Sequence, residues 1–116
     1  MRMSVYTPHV GGKKPRPDVQ ERIRERILRH AAKHYSGSYD RIDVRFRGAL
    51  CYIDAYVESR PHPLHLVRLR YNGNEDSMSV AFFTYSHEKY EPTFYENGKD
   101  HGTPEEAFDI GAVYLH

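Results

Sequence analysis

The chain has 116 residues, of which 39% are hydrophobic and 28% are charged, and its net charge at pH 7 is +1. This composition argues against a disordered chain, and no apolar run approaches the ~20 residues of a membrane-spanning helix. A domain of this length buries roughly two-thirds of its unfolded surface without help from a metal or a disulfide. The single cysteine, Cys51, allows no internal disulfide, so we expect a cytoplasmic protein without membrane contact.

The charges are distributed unevenly along the chain. Residues 1–70 contain 15 Lys and Arg against 7 Asp and Glu, whereas residues 71–116 contain 2 against 9. Such asymmetry can mark a nucleic-acid contact. Because the pI of about 7.9 is near neutral, we prefer the interpretation that the two halves fold against each other and neutralise one another.

The N-terminal part of the sequence predicts an arm followed by a helix. Residues 1–16 combine paired glycines, paired lysines and prolines, so we expect a flexible arm there and a single domain over 17–116. A helix is predicted from Pro17 to Gly37, because proline suits a first turn and glycine ends a helix. Apolar residues recur at every fourth position and form one stripe of this helix. The stripe consists of Val19, Ile23, Ile27, Ala31 and Tyr35.

The same helix carries a basic flank and a histidine pair. The flank consists of Arg22, Arg26, Arg29 and Lys33. His30 and His34 are four residues apart, which is the helical spacing of two metal ligands. Helical projection places both within the apolar stripe, and no motif selects a third ligand. We therefore prefer histidines at the edge of the core, and no metal or other cofactor is expected.

The segment RIDVRFRGALCYIDAY, residues 41–56, predicts a β-hairpin with a two-residue turn at Gly48 and Ala49. One side of this hairpin is apolar, with Phe46 opposite Cys51, Val44 opposite Ile53 and Ile42 opposite Ala55. The other side is charged and aromatic, with Arg45 opposite Tyr52, Asp43 opposite Asp54 and Arg41 opposite Tyr56. A shift of one residue would mix the two sides, so the segregation supports this register.

The predicted register places Asp43 directly opposite Asp54, where two like charges repel. A bound cation, a shared proton or an arginine would relieve the repulsion. We prefer an arginine, because its guanidinium matches carboxylate geometry. If the third strand places Arg68 beside Asp54 and Arg70 beside Tyr52, Arg68 is the expected neutralising residue. That placement puts His65, Val67 and Leu69 on the apolar side and Leu66 on the polar side.

The rest of the chain predicts three more strands and a second helix. The strands are expected over 64–71, 79–85 and 90–96, with Pro92 marking an edge strand. Asn97 and Gly98 predict a turn into a short return strand. Thr103 begins a short buried helix with a capping box, and residues 112–115 are left as either helix or strand. The sequence thus predicts an α+β fold: an N-terminal helix, an antiparallel meander of about five strands and a short C-terminal helix, with helix packed on one sheet face.

The polar side of the hairpin is the principal functional candidate. The chain has ten tyrosines and no tryptophan, and tyrosine and arginine are enriched in protein interfaces. Aromatic and basic sheet faces also bind single-stranded nucleic acid. The expected binding residues are Asp43, Arg45, Tyr52, Asp54, Tyr56, Arg68 and Arg70.

No motif in the sequence names a reaction or a ligand, so three hypotheses stay open. The first is a non-catalytic interaction domain that binds a protein partner, a second copy of the chain included, through this polar side. The second is a small enzyme that uses His30 and His34, or the carboxylate pair Asp43 and Asp54, since glycosidases use such a pair. The third is a nucleic-acid binder that adds the basic arm and the basic flank to the polar side.

Overall fold

The computed structural model describes residues 11–115, and these form an α+β fold, as predicted. The elements are α1 (Pro17–His34), β1 (Arg41–Arg47), β2 (Leu50–Tyr56), β3 (Leu64–Arg70), β4 (Ser79–Thr84), β5 (Lys89–Thr93) and α2 (Pro104–Gly111), followed by a 3-10 turn (Ala112–Tyr114). Most of the predicted arm lies outside the described residues, and residues 11–16 contain neither helix nor strand. Between residues 11 and 115, no helix combines the length and the apolar character needed to cross a membrane.

The five strands form one antiparallel sheet in the order β1-β2-β3-β4-β5. Every pair predicted for the β1–β2 hairpin is observed, from Arg41 opposite Tyr56 to Phe46 opposite Cys51. Gly48 has a φ of +59° whereas φ at Ala49 is not positive, which fits the two-residue turn with glycine first. β5 lies at an edge of the sheet, where its Pro92 costs no interior ladder bond.

The pairing of β2 with β3 differs from the prediction because β3 contains a bulge. Ile53 lies opposite Val67, but the next pair joins Asp54 to His65, so Leu66 is an extra residue. Leu66 is fully buried, whereas His65 is half-buried beside Asp54. The assignment of His65 to the apolar side and Leu66 to the polar side is therefore wrong.

The arginines of β3 also lie opposite other residues of β2 than predicted. Arg68 lies opposite Tyr52 and Arg70 lies opposite Leu50. The predicted positions of Arg68 beside Asp54 and Arg70 beside Tyr52 are therefore wrong by two residues along β2. Both arginines nevertheless stay on the polar side, because they alternate along β3 with Val67 and Leu69, which are buried.

The core lies between the sheet and the two helices, which cover the same face. The predicted stripe of α1 is buried from Val19 to Ala31, and Phe108 of α2 is fully buried with it. Gly111 permits the close approach of α2 to β3, since a Cβ there would lie 2.7 Å from the Cβ of Leu66. Burial of each large apolar side chain contributes roughly 1.5–3 kcal/mol, so this face carries most of the stability.

The C-terminal part confirms the second helix, answers the question left open for residues 112–115 and corrects the predicted return strand. The Thr103 hydroxyl accepts from the Glu106 amide at 3.2 Å and the Glu106 carboxylate accepts from the Thr103 amide at 2.9 Å, which is the predicted capping box. After Gly111 the chain forms a 3-10 turn rather than a strand. Among residues 99–102 no return strand forms, and only a single bridge joins Gly102 to Met78.

The two oppositely charged halves of the chain contact each other, as the near-neutral pI suggested. Arg26 of the basic flank donates to Glu105 at 2.7 and 2.9 Å and to Glu75 at 3.1 Å. Arg22 donates to Glu75 at 2.8 Å. The hydrogen bonds to Glu105 raise the pKa of Arg26, and much of the basic flank is thus neutralised within the molecule.

Candidate functional site

Within residues 11–115 no helix packs on the face of the sheet opposite α1 and α2, although Gly12 lies close to the side chain of Arg70. We call this face of the sheet the open face. Strand alternation and the observed pairings assign side chains from all five strands to it. Its charged and aromatic members are Arg41, Asp43, Arg45, Arg47, Tyr52, Asp54, Tyr56, His65, Arg68, Arg70, Phe83 and Tyr90, and Leu50, Ser79, Ala81 and Pro92 share the face with them.

A buried carboxylate lies at the centre of the open face. Asp54 is only 2% exposed. Its Oδ2 accepts from Nη1 of Arg45 at 2.9 Å, and its Oδ1 lies 3.0 Å from Nδ1 of His65. A carboxylate accepts hydrogen bonds only, so the second contact assigns a proton to Nδ1 of His65. Asp54 is thus bonded through both oxygens, as a buried charge requires.

Arg45 also neutralises the second carboxylate of the predicted pair. Its Nη1 lies 3.0 Å from Oδ2 of Asp43, and Arg41 lies 3.9 Å from the other oxygen of Asp43. An arginine therefore bridges Asp43 and Asp54, but Arg68, the expected residue, is not the one that does so. Arg68 lies opposite Tyr52 instead, and the bulge in β3 places His65 beside Asp54.

Aromatic rings form a second layer on the open face. The ring of Tyr90 lies 5.0 Å from that of Phe83, 5.6 Å from that of Tyr52 and 6.4 Å from that of His65, centroid to centroid. The guanidinium of Arg68 lies 5.3 Å from the centroid of Tyr90. Burial, and then the charge of Asp54, raise the pKa of the Tyr90 phenol. These rings pack against one another instead of projecting into solvent.

The bulge leaves a backbone amide that β4 does not pair, and a tyrosine satisfies it. The amide of His65 donates to the hydroxyl of Tyr85 at 2.7 Å. The Tyr85 ring in turn lies 4.7 Å from that of Phe83. Tyr85 is 42% exposed, so it forms the solvent-facing rim of the aromatic cluster.

Comparison with known proteins gives no family assignment. No protein-family model, curated protein or solved structure matches this chain. The chemistry of the open face is therefore inferred from its own side chains. They include five arginines and two aspartates, and both aspartates already contact Arg45. The open face is therefore net positive, by about three charges.

All seven residues predicted for the binding surface lie on the open face, but three of its central residues were missing from that prediction. His65 was assigned to the other side, and Phe83 and Tyr90 were not included. The sequence does contain a signal for His65: the consecutive apolar residues Leu66 and Val67 interrupt the strand alternation, as a bulge does.

The histidine pair of α1 lies outside the open face. His30 is half-buried with Nε2 2.8 Å from Oδ1 of Asp109, and its ring lies 4.6 Å from that of exposed His34. Within residues 11–115, no group of three or more His, Cys, Asp and Glu is arranged to hold a metal ion. Cys51 is buried on the helix side, and burial raises its pKa to about 12, so it is not poised as a nucleophile.

A groove at the edge of the helix-covered side forms a second distinct surface, which we call the β5–α2 groove. It encloses about 620 Å³. Its lining is Phe82, Thr93, Phe94, Glu96, Glu106, Asp109, Ile110 and Val113. Phe94 is 67% exposed and Val113 57%. Three of the eight lining residues are acidic and none is basic, so the charge of this groove is opposite to that of the open face.

Proposed function

We propose that this protein is an interaction domain that binds an acidic surface of a protein partner through its open face. The observation that carries the proposal is the net positive, aromatic sheet face whose own carboxylates already contact Arg45 and, in the case of Asp54, His65. Positive charge on such a face attracts a negative partner and excludes a positive one. Arginine and tyrosine are the residues that most often dominate binding energy at interfaces.

The side chains of the open face are held in place before any partner arrives. Arg45 bridges two aspartates, Arg68 lies over Tyr90, and the guanidinium of Arg41 lies 4.0 Å from the centroid of Tyr56. Ordering a rotamer-rich side chain at an interface costs about 0.5–1.5 kcal/mol. Arginines that are already ordered reduce that cost, which supports a role in binding.

The packing of the aromatic rings favours a protein over a nucleic acid. Stacking of bases requires open ring faces, but Tyr52, Phe83 and Tyr90 are half-buried and pack edge-to-face. Arg22 and Arg26 of the basic flank, on which the nucleic-acid hypothesis also depended, are paired with Glu75 and Glu105.

The contacts of Asp43 and Asp54 also argue against the hypothesis that these two residues form a catalytic pair. An acid–base pair acts on a substrate held between its two carboxyl groups. Here the guanidinium of Arg45 bonds both Asp43 and Asp54. A substrate would have to displace it, so the interaction proposal is the better supported one.

Isothermal titration calorimetry of the full chain tests this proposal. The probes are a synthetic peptide of alternating glutamate and phenylalanine and, separately, a mixed-sequence single-stranded oligonucleotide. We expect the peptide to bind with an affinity that falls with salt, because exposed charges are screened. Arg68→Glu should weaken the peptide by tenfold or more, equivalent to about 1.4 kcal/mol.

The matched control is Arg29→Glu, which makes the same charge change on α1, where the side chain is 72% exposed. It should leave peptide affinity unchanged. Absence of peptide binding to the wild type, or an equal loss in both variants, would contradict the proposal. Oligonucleotide binding that Arg68→Glu abolishes would favour the nucleic-acid hypothesis instead.

A further inference from the structure

The open face and the β5–α2 groove complement each other in charge and in apolar character. The groove presents Phe94 and Val113 to solvent beside three carboxylates. Contiguous apolar patches on a protein surface often mark interaction sites. The open face offers arginines beside the partly exposed ring of Tyr85.

The carboxylates of the groove retain oxygen atoms for a partner. Glu106 uses Oε1 for the amide and hydroxyl of Thr103. Asp109 uses Oδ1 for His30 and for the hydroxyl of Tyr35, at 2.8 and 2.7 Å. Within the described residues, those bonds leave Oε2 of Glu106 and Oδ2 of Asp109 for arginines from outside. Glu96 is exposed and adds a third carboxylate.

Neither surface is complementary to itself. Two open faces would bring five arginines against five arginines, and two grooves would bring carboxylates against carboxylates. Like charges placed together at an interface cost several kcal/mol. Only contact between unlike surfaces joins opposite charges and covers Phe94 and Val113 at the same time.

We infer that the open face of one copy of this protein binds the β5–α2 groove of a second copy. This rests on the proposed function, for which it names the partner. The two surfaces lie on different sides of the sheet, so a dimer still presents an unused groove on one copy and an unused open face on the other. Such heterologous contacts build rings or open chains, so assembly continues past the dimer.

Sedimentation velocity of the full chain, with Arg68→Glu and Glu96→Arg as variants, tests the inference. At about 0.1 M salt, where the Debye length is about 10 Å, we expect the wild type to increase in mass with concentration. Each variant alone should stay at 13.6 kDa, because each has lost one of the two surfaces. Mixed together, the variants should form a dimer of about twice that mass and nothing larger, since one intact open face meets one intact groove.

The controls are Arg29→Glu and Glu25→Arg, which change the same charges at exposed positions of α1. They should assemble like the wild type. A wild type that stays monomeric at every concentration would overturn the inference, and so would variants that fail to form a dimer when mixed. If the glutamate–phenylalanine peptide still binds the open face, the failure is confined to the identity of the partner, whereas failure of the peptide as well contradicts the proposed function.

Discussion

The two faces of the sheet use the same strands for different purposes. The helix-covered face buries Phe108, Ile23, Ile53 and their neighbours completely. The open face buries one charged residue, Asp54, and keeps its aromatic rings half-exposed beneath arginines. Apolar burial provides most folding free energy, so the covered face accounts for stability. The polar side chains of the open face contribute less to that stability, so they are available to bind a partner.

The largest expected effect is on the covered face. Phe108→Ala removes a fully buried ring from the core and should lower the free energy of unfolding by about 3–5 kcal/mol. Phe83→Ala removes the same side chain from the open face, where it is half-buried, and should cost about 1–2 kcal/mol. Urea denaturation followed by circular dichroism measures both. Equal losses of unfolding free energy in the two variants would contradict the conclusion that the covered face provides most of the stability.

The next largest loss of stability is expected at the buried carboxylate of the open face. Asp54→Asn leaves Arg45 and His65 without their shared charged partner and should cost about 2 kcal/mol, since hydrogen bonds to charged groups are worth about 1.5–3 kcal/mol. Asp43→Asn is the matched control. Its carboxylate is more exposed, so its loss should cost no more than about 0.5 kcal/mol. Thermal denaturation of the two variants should separate them, and a larger loss for Asp43→Asn would show that Asp54 is not the central contact.

A smaller effect is expected from the ion pairs that join α1 to α2 on the covered side. Burial acts to raise the pKa of Glu105, but the hydrogen bond and the charge of Arg26 outweigh it and lower the pKa. A carboxyl group with a lowered folded pKa stabilises the fold above its unfolded pKa of about 4.3, and the stabilisation disappears as pH falls through the folded value. Glu105→Gln should therefore cost about 1 kcal/mol at neutral pH.

The pH dependence of that cost is the measurement that checks it. The difference in unfolding free energy between wild type and Glu105→Gln should close below about pH 4, as the wild-type carboxylate is protonated. Glu21→Gln, at a site on α1 that is 72% exposed, should show little difference at any pH. If the difference in unfolding free energy between the wild type and Glu105→Gln persists in acid, the ion pair with Arg26 is not its cause.

The smallest expected change in stability comes from the substitution with the largest expected effect on binding. Arg68→Glu leaves the core untouched and should change the free energy of unfolding by no more than about 0.5 kcal/mol. Chemical denaturation of the same protein preparation used for binding provides the value. A loss of several kcal/mol would mean that Arg68 holds the fold together, and loss of binding would then no longer report on recognition.

The hairpin shows how far the sequence determines this fold. Its register was predictable residue by residue because all its apolar side chains except Leu50 fall on one side and Gly48 marks the turn. The next strand pair was not, because β3 is displaced by two residues from the expected register and the bulge at Leu66 adds one more. A strand buried on one face specifies its register strongly. An inserted residue keeps the apolar side chains on the buried face only if two consecutive residues of the strand are apolar. Leu66 and Val67 meet that condition.

The composition of the candidate site was predictable only within the hairpin. Arg45, Tyr52 and Asp54 are neighbours through a two-residue turn, so local pattern places them together. Phe83 and Tyr90 reach the same surface through pairings of β4 and β5 that no local pattern aligns with β1. The groove was not predictable either, since it joins β5 to α2 through tertiary packing alone.

Amide chemical-shift mapping by NMR tests most directly whether the open face is the binding surface. The ¹⁵N-labelled full chain is titrated with the glutamate–phenylalanine peptide at about 0.1 M salt, at a protein concentration at which sedimentation velocity shows a monomer. We predict shifts at Arg45, Tyr52, His65 and Arg68, with Val113 in the groove unchanged, because the acidic peptide is repelled there. Shifts centred on α1 or on the groove, with the open face unaffected, would contradict the assignment of the open face as the recognition surface.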